Sequence, residues 1–253
     1  MLKKWGILLL AILLAAVSAG SAELIQITLA DGASECGSEA VVCEGDVVTI
    51  TAPGEYLITG TLTNGQVQID CKEDGKVSVN LQDVSIHNET GAAILVGHVS
   101  PRIRISLMAD TNNELSNGED LVYENENEPN GVIFSRSDLT LEGSGALNVT
   151  AGAMDGIVSK DDLKIEGGQI TVNAPRHGIR GKDFVEISDG DITVTAGKDG
   201  IRSNNDKEAD RGYISVLGGK IRIICGDDPF DFVTALNIRS AEITTSVQRA
   251  QDP

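Results

Sequence analysis

The 253-residue chain carries 38 acidic against 20 basic residues, a formal charge of −18 at pH 7. That balance excludes the basic footprint of a nucleic-acid binder and disfavours attachment to anionic membranes. Only 3% of the residues are aromatic, which leaves few rings for a sugar site built on stacking.

The chain opens Met1-Leu2-Lys3-Lys4, then runs apolar and uncharged from Trp5 to Val17, then small from Ser18 to Ala22. A basic start, a short apolar stretch and a small-residue end describe a secretory signal peptide. The apolar run falls short of the ~20 residues a membrane span needs. Cleavage after Ala19 and after Ala22 fit equally well. The second leaves 23–253 as one domain and removes Lys3 and Lys4, taking the charge from −18 to −20. The expectation is a secreted or cell-surface monomer with no membrane attachment after cleavage. It lacks Trp, because Trp5 lies in the leader.

Past the leader, short alternating runs mark strands at Val67–Ile69, Val77–Leu81, Val84–Ile86, Ile94–Val96 and Ile103–Leu107. Asn112, Asn113 and Asn117 read as an asparagine-rich turn, and 119–128 as an acidic, solvated loop. A repeat then takes over. Asp155-Gly-Ile-Val-Ser, His177-Gly-Ile-Arg-Gly and Asp199-Gly-Ile-Arg-Ser recur at a step of 22, with Gly156, Gly178 and Gly200 in phase. A weaker copy starts at Gly131. The third copy carries a seven-residue insertion around Asp206–Arg211, and a degenerate copy follows as Asp228-Pro-Phe-Asp-Phe. Each copy holds three short period-two runs broken by Gly, Asn or Asp, and no capped 3.6-residue periodicity occurs. Strands this short bury no face alone, so copies must stack. The predicted class is all-β, a parallel β-helix of about 22 residues per coil. Its inward columns are Ile133, Ile157, Ile179, Ile201 and Phe230, and Leu139, Leu163, Val185 and Ile214.

Stacking bears on the four cysteines. Cys36 and Cys43 are close enough to pair, with Cys43–Cys71 as the alternative. Cys71 and Cys225 would sit about seven coils apart at ~4.8 Å per coil, outside the ~7 Å reach of a disulfide.

Three segments resemble a known family: Gly54-Glu-Tyr-Leu-Ile-Thr-Gly-Thr-Leu-Thr-Asn-Gly-Gln-Val, Ile105-Ser-Leu-Met-Ala-Asp-Thr-Asn-Asn-Glu-Leu-Ser-Asn-Gly, and the Asp-Gly-Ile copies at Asp155 and Asp199. The family is the bacterial β-helix carbohydrate-binding domain, whose fold is akin to polysaccharide lyases. The resemblance covers roughly 46–243. It implies a right-handed β-helix that binds plant polysaccharide, both cellulose and acidic pectin-like polymers, with bound Ca²⁺. His177 replaces the aspartate expected in the second copy, and Pro229 breaks the pattern of the last.

Alternation turns Phe134, Val158, Arg180, Arg202 and Asp231 outward as one column, with Arg136, Lys160, Lys182 and Asn204 as a second. Stacked like charges repel unless carboxylates or an anionic ligand offset them. Arg136, Lys160, Arg180, Lys182 and Arg202 are therefore the candidate carbohydrate-binding residues, since Arg grips a carboxylate with two parallel hydrogen bonds. Acids flank the column, with Asp155, Asp199 and Asp228 before the strand and Asp161, Asp162 and Asp183 after it. Ca²⁺ takes several hard oxygens, and Asp155, Asp199, Asn204, Asn205, Asp227 and Asp228 are its candidate ligands. Turn chemistry is the plain alternative for the Asn and Asp residues, and a solvated salt-bridge ladder for the column. His87, His98 and His177 show no metal-ligand spacing, and no nucleophile elbow or P-loop occurs. The expectation is a non-catalytic polysaccharide binder. The alternatives are a Ca²⁺-dependent lyase with Arg180 or Arg202 as base, and a structural surface stalk.

Overall fold

The computed structural model describes residues 24–119 and 129–248; the predicted leader and most of the acidic loop lie outside them. Every regular element in the described residues is a strand, and the chain is all-β. The strands form one sheet of fourteen and one of nine. In the nine-stranded sheet each strand lies beside the next in chain order, from Val41–Glu44 and Val47–Ile50 through Gln66–Ile69, Ile94–Val96, Gly131–Ser135, Asp155–Ser159, Ile179–Gly181 and Ile201–Ser203 to Phe230–Phe232.

Pairing is parallel throughout except at the N-terminal end, where Leu24–Leu29 meets Glu35–Cys36 and Val41–Glu44 meets Val47–Ile50 antiparallel. The register follows the sequence repeat. Ile133 pairs with Ile157, Ile157 with Ile179 and Ile179 with Ile201. Ile201 then pairs with Phe230, a step of 29, so the seven-residue insertion adds to the 22-residue coil without shifting the column. Leu139, Leu163, Val185 and Ile214 pair in the second column. A third runs through Leu147, Ile170, Ile192 and Ile221. All the aliphatics in these columns are buried. Full burial of each such side chain contributes on the order of 1.5–3 kcal/mol, and one core cluster joins coil to coil along the whole stack.

The repeated glycine has a steric cause. A Cβ on Gly178 would lie 2.2 Å from Val194 Cγ1 and 2.8 Å from the Gly200 carbonyl oxygen. Gly156 and Gly200 meet the equivalent Val172 and Ile223 in the same way. A different demand applies at Gly190, where φ is +122° as the chain turns the corner inside the strand Phe184–Ala196.

Several expectations need correcting. Val77–Leu81 and Val84–Ile86 are one strand, Val77–Asn88, which bends at Asp83 with φ of 52°. The asparagine-rich turn is a strand, Asn112–Asn117. Asn113 is fully buried: its Oδ1 accepts from the Val84 amide at 3.1 Å and its Nδ2 donates to the Ala146 carbonyl at 3.0 Å. The inward asparagine thereby bonds backbone groups on the strands at either side of it, which keeps its buried amide satisfied. Cys36 and Cys43 form a disulfide with Cα atoms 6.3 Å apart, and it ties the two antiparallel pairs together. Cys71 and Cys225 are buried and unpaired.

Candidate functional site

The outer face of the nine-stranded sheet places Gln68, Leu95, Phe134, Val158, Arg180, Arg202 and Asp231 in one register column. Its middle is not solvent-facing as alternation predicts. Phe134 and Val158 are fully buried and form a second apolar cluster with Ala92 and the partly buried Leu95. The candidate cations therefore do not make one continuous stripe. Arg136 sits at one end, exposed, with its guanidinium 5.3 Å from the Phe134 ring centre. It borders a pocket of about 450 Å³ with Gln68, Asp70, Leu95 and His98. Lys160 and Lys182 follow half-buried. Their backbone amides pair with the carbonyls of Ser135 and Ser159 on the preceding coil, which sets them in line.

Arg180 and Arg202 enter a second pocket of about 230 Å³. Four cations line it (Arg176, Arg180, Lys198 and Arg202) with His177, Asn204 and the carboxylates of Asp199 and Asp227. Asp155 backs it, fully buried. Arg180 Nη2 donates to Asn130 Oδ1 at 3.1 Å and stands 3.3 Å from Asp155 Oδ2. Arg202 Nη1 donates to Asp199 Oδ2 at 3.1 Å, and its Nε lies 3.1 Å from Asp231 Oδ2. His177 is 3% exposed. Its Nε2 lies 3.4 Å from Arg202 Nη1. A guanidinium only donates, so Nε2 accepts and the ring proton sits on Nδ1. That nitrogen stands 3.0 Å from Asp199 Oδ2, out of line for a hydrogen bond. Burial, aided by Arg202, Arg180 and Arg176 and opposed by Asp155, pushes the His177 imidazole down to about 4. The ring is neutral at pH 7.

The six residues expected to hold Ca²⁺ are dispersed in role. Asp155 Oδ1 accepts the His177 amide at 3.2 Å, and Asp199 Oδ1 accepts the Asp228 amide at 3.2 Å. Asn204 and Asp227 face the cation-lined pocket, and Asp228 is exposed. Asn205 is turn chemistry: its Oδ1 accepts the amides of Lys207 and Glu208 at 2.9 and 3.3 Å. Its Nδ2 donates to Asp183 Oδ1 at 2.7 Å.

The carboxylates after the strand behave differently. Asp161 and Asp162 come together with Asp138, which the sequence reading passed over, with one oxygen of each within 4.8 Å of the others. It is the one group of three acidic side chains this close among the described residues. Burial, with added repulsion from Asp138 and Asp183, pushes both Asp161 and Asp162 up to about 6. Arg211, from the insertion, bonds Asp162 Oδ1 at 3.0 Å and lies 3.6 Å from Asp183. Next to them Phe184 and Tyr213 stack at 4.9 Å between ring centres, in register with Asp162. Asp138 lies on the coil before Asp161 and Asp162, so only the stacking register brings it to them. The 24-residue step from Asp138 to Asp162 was the available signal.

The family model described as "Carbohydrate-binding domain-containing protein" matches residues 44–252. A carbohydrate-binding domain-containing protein of Acetivibrio thermocellus is 43% identical over 202 residues, covering 79% of this chain and 70% of that protein. Among solved structures, the polysaccharide lyase-like protein from C. thermocellum, studied as a gadolinium derivative, superposes with a TM-score of 0.85 at 34% identity. The match covers 89% of this chain and 92% of that one. The all-β architecture is thus polysaccharide lyase-like, and the chain belongs to the family of carbohydrate-binding domain-containing proteins.

Proposed function

We propose that this protein is a secreted, monomeric, non-catalytic binder of acidic plant cell-wall polysaccharide, polygalacturonate-like, wound as a right-handed parallel β-helix. Parallel pairing in 22-residue steps supports the winding. The observation that carries the ligand class is the pocket of Arg176, Arg180, Lys198 and Arg202. A concentration of cations in a chain of charge −18 suits the carboxylates of a uronate polymer. Arg136, Lys160 and Lys182 extend the cationic positions along the same face. Arg180 and Arg202 are both ion-paired, which fits charged donors that hold a ligand in place.

Calcium belongs to this reading through the family resemblance. Asp138, Asp161 and Asp162 are the residues with the donor set for it: hard carboxylate oxygens close together and strained by their own repulsion. Asp155 and Asp199 suit it less well, because Arg180 and Arg202 face them and each of the two carboxylates also accepts a backbone amide. In the acidic group Asp162 also meets a cation, Arg211, with which calcium would have to share it. When bound, Ca²⁺ would neutralise these carboxylates and offer open coordination positions to sugar oxygens.

Retention on insoluble polygalacturonate, measured with Ca²⁺ and with chelator, tests the proposal. The expected result is retention without release of unsaturated, ultraviolet-absorbing ends. Accumulation of such ends would replace the binder with a lyase, and no retention on any polysaccharide would leave a structural stalk. Retention on cellulose in the same assay measures how far neutral polymer shares the surface.

A further inference from the structure

The copy of the repeat that departs from its pattern lies at the centre of the cation-lined pocket. Asp155, His177 and Asp199 occupy one position on three successive coils, at steps of 22. In parallel strands such positions stack ~4.8 Å apart. Were residue 177 an aspartate, three buried carboxylates would form an unbroken column. Such a column attracts a cation.

His177 interrupts it. The ring is buried and neutral, receives Arg202 at Nε2 and faces Asp199 through Nδ1. Its Nδ1 lacks a hydrogen-bond partner, as does Asp155 Oδ2, and both atoms are buried. With a neutral residue here the pocket lining counts four cations against two carboxylates. Arg180 and Arg202 each carry five N–H donors in a planar fork. Their protein contacts use Nη2 of Arg180, and Nη1 and Nε of Arg202. The forks therefore keep donors to offer a carboxylate entering the pocket.

We propose that this pocket seats a single sugar carboxylate, and that His177 is the residue that sets its selectivity for an anion over a cation. The proposal rests on the reading of the protein as an acidic-polysaccharide binder, and it names the subsite and the residue that determines its sign. An aspartate at 177 adds a buried negative charge between Asp155 and Asp199. It turns an anion seat into a site for a hard cation.

The test uses a galacturonate trisaccharide and an uncharged trisaccharide with chelator present, so that no metal bridges ligand to protein. Calorimetry gives affinity, and a separate Tb³⁺ luminescence titration, free of chelator and of sugar, gives cation stoichiometry. Wild type should prefer the acidic trisaccharide at least tenfold. His177→Asp should lose at least tenfold in that affinity and bind one Tb³⁺ more per chain than wild type. His177→Asn, neutral and polar, should stay within about threefold of wild type.

Equal binding of the two trisaccharides by wild type overturns the proposal, and so does unchanged acidic-sugar affinity in folded His177→Asp. Should His177→Asp fail to fold, Arg202→Gln decides. Loss of the preference for the acidic trisaccharide supports the subsite, and its retention overturns it. The two readings fail separately. Wild type that ignores polygalacturonate itself removes the proposed function. Wild type that holds the polymer while the trisaccharide data stay flat removes only the subsite.

Discussion

At the scale of single residues, burial decides which charges act as ligand groups and which as structure. Arg202 is about one-third exposed and touches Asp199, His177 and Asp231 at once. Arg202→Gln should weaken retention on polygalacturonate about tenfold, since a hydrogen bond to a charged group contributes roughly 1.5–3 kcal/mol. Binding isotherms at fixed ionic strength check this. The titrating groups give a second prediction, with two opposed signs. Asp161 and Asp162 rise to about 6 in the folded state against an ordinary 3.8. Between those values the folded state binds more protons, so these two groups make stability fall as pH rises from about 4 to 6. His177 falls to about 4 from 6.5, so its contribution is present above pH 6.5 and is lost as pH falls through 4. Thermal unfolding from pH 4 to 7 should separate them. Asp162→Asn should raise stability at pH 7 relative to wild type and leave pH 4 nearly unchanged, whereas His177→Asn should flatten the loss at the acid end. A wild-type-like pH profile in Asp162→Asn would contradict the strained carboxylate group. If Ca²⁺ takes that group, adding it should raise the melting temperature more at pH 7 than at pH 4.5.

At the scale of the element, the coil is held by contacts its own strands cannot make. Ile179 stacks between Ile157 and Ile201, fully buried. Ile179→Ala should cost about 2–5 kcal/mol, the range for truncating a packed aliphatic. Gly178→Ala tests the opposite fault. Its Cβ would meet Val194 and the Gly200 carbonyl, and overpacking of this kind costs about 1–3 kcal/mol. Denaturant unfolding of both variants provides the measurement. The strand columns and this glycine were legible in the sequence because a strand's side-chain period is two and the repeat is 22, so both can be counted. The burial of Phe134 and Val158 was not legible. They alternate like the arginines of their column, and only packing against Ala92 and Leu95 distinguishes them.

At the scale of the whole molecule, the two ends of the stack differ. The N-terminal end is closed by two antiparallel pairs and the Cys36–Cys43 disulfide. Cys36→Ser with Cys43→Ser should lower stability by about 2.5 kcal/mol on loop entropy for so short a loop, measured by unfolding under oxidising conditions. At the other end the last described coil leaves Phe232, Val233, Ile238 and Val247 exposed.

The sequence by itself determined the all-β class, the 22-residue register, the separation of Cys71 from Cys225 and the place where the repeat departs from its pattern at His177. Each follows from local periodicity, which a linear chain displays directly. Only the tertiary structure decided how the charges are shared out. Asp155 and Asp199 meet Arg180 and Arg202, Asp161 meets Asp138, and Asp162 meets both Asp138 and Arg211. Electrostatic partnership depends on distances of a few ångströms between side chains from different coils, and corner geometry and burial set those distances.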